Sequence, residues 1–155
     1  PDAQLVCDKA GVVLEALLDF ITRQYQCRIP RRPGGAYTLG ELLQAISSKL
    51  RTHLRIERLK ETTAEDVKVF EERLLKPDLD ELQRIAQVRN VFGCHFNELS
   101  FSVLDTDAIP FGQRVLEIAD WLIDEESGWP AKEKAGAYWA NADETRRLHP
   151  LKEPQ

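Results

Sequence analysis

At 155 residues, 43% hydrophobic and 30% charged, the chain is long enough to close one core and too apolar to stay disordered. A net charge of −5 does not advertise a nucleic-acid binder. No apolar run approaches the ~20 residues that cross a bilayer, and the start of the chain lacks the basic, apolar, then small-residue pattern of a secretory leader.

Cys7, Cys27 and Cys94 are odd in number and widely spaced, which fits neither a disulfide framework nor a CxxC metal knuckle and points to a reducing cytoplasm. Charge is unevenly spread. Lys49, Arg51, Arg55, Arg58 and Lys60 face one acid, Glu57, whereas between Asp105 and Glu126 seven acids face one base, Arg114. The chain has no methionine, starts at Pro1 and enters an apolar helical pattern almost at once, so the expectation is a carboxy-terminal piece of a longer protein.

The first helix is expected over residues 3–27, where Leu5, Val6, Val13, Leu14, Leu17, Phe20, Ile21 and Tyr25 recur at three- and four-residue spacing. Two prolines and two glycines between Pro30 and Gly35 end it. A second helix starts at Thr38, with Glu41 completing a capping box and Leu39, Leu42, Leu43, Ile46, Leu50 and Leu54 as its stripe. Thr63 and Asp66 resemble the cap of a third helix carrying Val67, Phe70, Leu74 and Leu75, which Pro77 stops. The fourth helix covers residues 79–99. Residues 100–110 read as a loop, too short to build a sheet, and a fifth helix runs from Pro110 to a stop at Gly128. The expectation is an all-α fold: a helical bundle of about five helices over residues 1–128, with residues 129–155 as an arm packed on it.

The fourth helix contains an anomaly. Leu82, Ile85, Arg89, Phe92, Phe96 and Leu99 repeat at 3, 4, 3, 4, 3, the spacing of a buried seam, and one member is a cation. Burying a guanidinium is costly unless a carboxylate, carbonyl or phosphate receives it. Val88, Val91 and His95 form a second partly apolar row beside the first.

The stretch Arg89-Asn90-Val91-Phe92-Gly93-Cys94-His95 resembles the Arg-polar-x4-His signature of HEPN domains, all-α bundles that often act as metal-independent endoribonucleases. The resemblance covers roughly residues 3–99. Three further stretches, Tyr37-Thr38-Leu39-Gly40-Glu41-Leu42, Gly93-Cys94-His95-Phe96-Asn97 and Arg146-Arg147-Leu148-His149-Pro150-Leu151-Lys152, look like the carboxy-terminal regions of AAA/ABC-type ATPases of bacterial defence systems. The resemblance implies an RNA-cleaving, toxin-like effector of antiviral defence, with an ATPase domain or subunit as partner.

The chemistry implied needs no cofactor and no metal. The RNA 2′-hydroxyl attacks its own phosphorus, leaving a 2′,3′-cyclic phosphate. His95 would move the proton, since an imidazole ordinarily titrates near ~6.5. Arg89 would hold the non-bridging oxygens, and Asn90 would orient the phosphate. On a straight helix Arg89 and His95 stand roughly 120° and ~9 Å apart. A homodimer pairing two copies of the fourth helix is therefore expected, as in HEPN nucleases. Arg51, Arg55 and Arg58, at i, i+4 and i+7, would share one helix face as an RNA guide. The alternatives are a non-catalytic dimerisation or regulatory domain of an ATPase, and a nucleic-acid binding module that relies on that stripe. There is no phosphate loop, no HExxH and no GxSxG element.

Overall fold

The computed structural model describes residues 3–29, 37–88, 93–95 and 105–155, with side chains from residue 9 in the first helix and from residue 108 in the last. Among the described residues five helices, α1 (Ala3–Gln24), α2 (Leu39–Ala45), α3 (Ser48–His53), α4 (Lys76–Val88) and α5 (Asp105–Leu122), are interleaved with five strands, β1 (Arg55–Thr62), β2 (Lys68–Leu74), β3 (Lys132–Lys134), β4 (Tyr138–Ala140) and β5 (Arg146–His149). The strands form one antiparallel sheet in the order β2-β1-β5-β4-β3. The all-α expectation is therefore wrong: the fold combines helices with a sheet.

The chain divides into two compact units. Unit 1 comprises Pro1–Ser47 and Asp78–Glu117; unit 2 comprises Ser48–Pro77 and Ile118–Gln155. In unit 1 every described element is a helix, apart from a single antiparallel bridge between Thr38 and His95. Leu14, Leu17, Leu18 and Ile21 of α1, Leu42 and Leu43 of α2, Leu79 and Leu82 of α4, and Phe111 and Val115 of α5 are among its buried side chains. Helix α1 ends at Gln24 rather than residue 27, in a Schellman closure: Cys27 N–H bonds to Thr22 O at 2.8 Å and Gln26 N–H to Arg23 O at 3.1 Å, with Gln26 at φ 51°. Thr38 and Glu41 form the expected capping box, Oγ1 of Thr38 accepting from Glu41 N–H and Oε1 of Glu41 from Thr38 N–H.

Unit 2 holds the sheet, and the reason it escaped the helical reading is local. The expected second helix is broken after Ala45, where Ile46 turns extended, and resumes as α3, which stops at His53 because Leu54 and Ile56, both fully buried, are two apart, the strand period. Thr63 and Asp66 close a β-hairpin instead of capping a helix. Thr63 Oγ1 accepts from Val67 N–H at 3.1 Å, Asp66 N–H bonds to Thr63 O, and Asp66 sits at φ 61°. The side-chain chemistry that caps helices also stabilises turns. The stretch expected as a terminal arm supplies β3–β5, and β5 inserts between β1 and β4. Its β3–β4 turn places Ala135 and Gly136 at positive φ, as a primed hairpin turn requires.

Further helix boundaries also differ. Helix α4 begins at Lys76, so Pro77 lies in its first turn, where the missing N–H has no cost. Helix α5 begins at Asp105, carries Pro110 inside it and ends at Leu122, short of the expected stop at Gly128. The expected fourth helix does not reach His95 unbroken: Gly93 lies in a turn and His95 in the bridge to Thr38. Helix α4 is described as far as Val88.

Candidate functional site

In unit 1 the backbone around His95 is tied to the start of α2. His95 bridges Thr38, and Leu39 N–H bonds to Cys94 O at 3.1 Å. The capping box of α2 fixes Thr38 in turn, so the imidazole is carried on a strap anchored at a helix start. His95 is half-buried rather than packed away. Arg89 and Asn90 lie outside the described residues, as do Phe92, Phe96 and Leu99 of the expected seam. Of the three expected catalytic residues, only His95 is placed.

A polar cavity of about 710 Å³ opens in the same unit, lined by Asp19, Thr22, Arg23, Gln26, Cys27, Ile29 and Tyr37. Its size falls in the range of small-ligand sites, roughly 300–1,000 Å³. One wall is the last turn of α1 and its Schellman closure. Another is Tyr37, the residue before the bridged Thr38. Arg23 Nε bonds to both carboxylate oxygens of Asp19, at 3.0 and 2.9 Å, and this pairing raises the Arg23 guanidinium further above its usual range. The cavity therefore presents a cation whose charge is largely compensated, a phenol ring and a half-buried thiol.

The expected RNA-guiding stripe is taken apart by the fold. Arg51 is on α3 and only 7% exposed. Arg55 and Arg58 are on β1, and an odd separation along a strand puts them on opposite faces of the sheet. Arg55 Nη1 bonds to Glu72 at 2.9 Å. Arg58 bonds to Glu71 at 2.8 Å and Asp120 at 2.6 Å, and its guanidinium lies 4.0 Å from the centre of the Trp121 ring. Helical periodicity brought the three together on paper; the change from helix to strand at Leu54 separates them.

Sequence reasoning missed a second constellation, on the sheet face shared by Arg55, Glu57, Phe70, Glu72, Tyr138, Arg147 and His149. His149 Nε2 bonds to Glu57, and Arg55 Nη2 stands 3.3 Å from His149 Nδ1. The imidazole packs beside Tyr138, with ring centres 5.1 Å apart. Arg147 lies 3.9 Å from the Phe70 ring centre and 4.9 Å from that of Tyr138, and bonds to Glu144 at 2.6 Å. Burial pushes the His149 imidazole below its usual value against the opposing pull of Glu57. Burial alone would raise Glu144, but Arg147, Tyr138 and Lys134 hold it below the usual carboxylate range. The signal available in sequence was two-residue spacing: Arg55 with Glu57, and Arg147 with His149.

Among the described residues, no group of three or more His, Cys, Asp or Glu side chains is placed to hold a metal ion. No described helix is long and apolar enough to cross a membrane. The chain matches no protein-family model, no curated protein and no solved structure.

Proposed function

We propose that unit 1 is a metal-independent endoribonuclease centre of HEPN type, in which His95 transfers protons beside the cavity walled by Tyr37 and Arg23. The observation that carries this reading is a half-buried His95 held by a backbone bridge to Thr38, the residue that follows Tyr37 of an open polar cavity. The helical character of the described part of unit 1 and the likeness of the Arg89–His95 element to the HEPN signature support it further.

The reaction balances without a cofactor. The 2′-oxygen gives up its proton to a base and forms a bond to phosphorus, the bond from phosphorus to the 5′-oxygen breaks, and that oxygen takes a proton. His95 is the proton-transfer group, Arg89 the receiver of phosphorane charge, and Asn90 an orienting amide. Tyr37 offers a ring on which a base can stack. A second copy of the chain, meeting through α4, completes the cleft. An ATPase domain or subunit, suggested by the three stretches that resemble defence ATPases, controls it.

The test is incubation of the protein in EDTA with mixed RNA. Cleavage to 2′,3′-cyclic phosphate ends is expected from the wild type and is abolished in His95→Ala and Arg89→Ala. In Tyr37→Ala, KM rises with little change in kcat. Cleavage that survives His95→Ala removes the proposal.

A second reading, a non-catalytic regulatory module, is favoured by one observation: Arg55 and Arg58 of the former stripe are engaged with Glu72, Glu71 and Asp120. An intact, dimeric protein that leaves RNA uncut both alone and with its ATPase partner would select it.

A further inference from the structure

The sheet of unit 2 is assembled from two sequence-local pieces, the β1–β2 hairpin and the β3–β4–β5 meander. They are joined by one short ladder, four residue pairs from Arg55↔His149 to Arg58↔Arg146. On one face of that seam, both nitrogens of a single imidazole are engaged by β1. Glu57 meets His149 Nε2, and the Arg55 guanidinium meets Nδ1. Glu57 is diagonal to His149 across the ladder and Arg55 directly opposite, so the ring spans two rungs.

We infer that His149 is an acid-sensitive latch, whose neutral ring holds the meander onto the β1–β2 hairpin and whose protonation loosens that seam. A guanidinium only donates, so Nδ1 satisfies Arg55 as an acceptor while Nε2–H donates to Glu57. Adding a proton to Nδ1 removes the acceptor and sets two cations 3.3 Å apart. Of the surrounding charges, Glu57 attracts the new one and the cations oppose it. Arg55 is already bonded to Glu72 of β2. Arg147 of β5 adds a second cation, itself bonded to Glu144. Tyr138 of β4 donates its hydroxyl to Glu144 as well, at 3.2 Å. Glu57 is the one acid on the ring, and its attraction opposes burial, Arg55 and Arg147.

The sign follows from the downward direction of the shift. A histidine whose folded value lies below its unfolded value, near ~6.5, contributes stability that is fully present above ~6.5 and is lost as pH falls through the folded value. The ratio of folded to unfolded protein then falls about tenfold for each pH unit separating the two values.

The experiment is a titration of the intact protein from about pH 7.5 to about pH 5, following the imidazole proton resonances of His53, His95 and His149 and the thermal midpoint. The expected result is a His149 midpoint below that of a free imidazole, with the melting temperature falling over that window. Amide exchange in β5 should accelerate before that in β2. His149→Gln, which keeps one acceptor and one donor, should flatten the pH dependence, while His53→Ala and His95→Ala leave it in place. A His149 resonance titrating at or above the free value overturns the latch. So does an acid-induced loss that persists unchanged in His149→Gln. The resonance measurement decides the matter even where a variant fails to fold.

Discussion

Asp78 shows how a polar side chain is accommodated in a mostly apolar setting. Its side chain is 3% exposed, in the first turn of α4, and Arg114 of α5 bonds to it at 2.8 Å. A buried carboxylate that loses a charged donor costs more than an exposed pair gains. Arg114→Leu is accordingly expected to lower stability by about 2 kcal/mol, read from urea unfolding followed by circular dichroism. At this scale much was legible. Leu14, Leu17, Ile21, Leu42 and Leu82 were assigned to the interior from spacing alone, and all are buried. Partners were not legible: Glu57 with His149 and Asp78 with Arg114 are separated by 92 and 36 positions, and no local pattern encodes such contacts.

Helix ends are where local chemistry was most informative and also most ambiguous. The Thr38–Glu41 box is present as expected, because its two reciprocal bonds need only four consecutive residues. The Thr63–Asp66 pair carries a similar signal, yet closes a hairpin, since the strands on either side decide which structure the turn serves. Helix α1 offers a sharper test. Gln26 holds the left-handed position of the Schellman closure, a conformation that favours glycine. Gln26→Gly relieves roughly 1–2 kcal/mol of local strain and loses about 0.5–1 kcal/mol to chain entropy, for a net gain of about 0.5 kcal/mol. Gln26→Val is expected to be destabilising by more than the glycine gains, because β-branching is hardest to fit at positive φ. Thermal melts of the two variants should move in opposite directions.

For the whole molecule, the helical half was readable and the sheet was not. The long apolar stripes of α1, α4 and α5 have a period no strand can share, whereas β1 and β2 are charged and half-exposed, with Ile56 alone of their side chains fully buried. Three-residue strands such as β3 and β4 leave almost no periodicity to detect. Assembly belongs to this scale as well. Val88, at the last described turn of α4, is 61% exposed and is the position at which the dimer proposed above can be tested. Val88→Lys is expected to lower the sedimentation coefficient to that of a monomer and to abolish RNA cleavage without changing the melting temperature by more than a few degrees.

The central position of β5 imposes an order on biogenesis. Arg55 meets His149 across 94 positions, so the inner edge of β1 stays bare from its own emergence at the ribosome until β5 follows. Throughout that interval β1 and β2 are a two-stranded ribbon with an open flank, the kind of template that recruits neighbouring nascent chains. Slow translation through the segment between them would lengthen this exposure, making the yield of soluble protein sensitive to codon choice and to chaperone supply as well as to final stability.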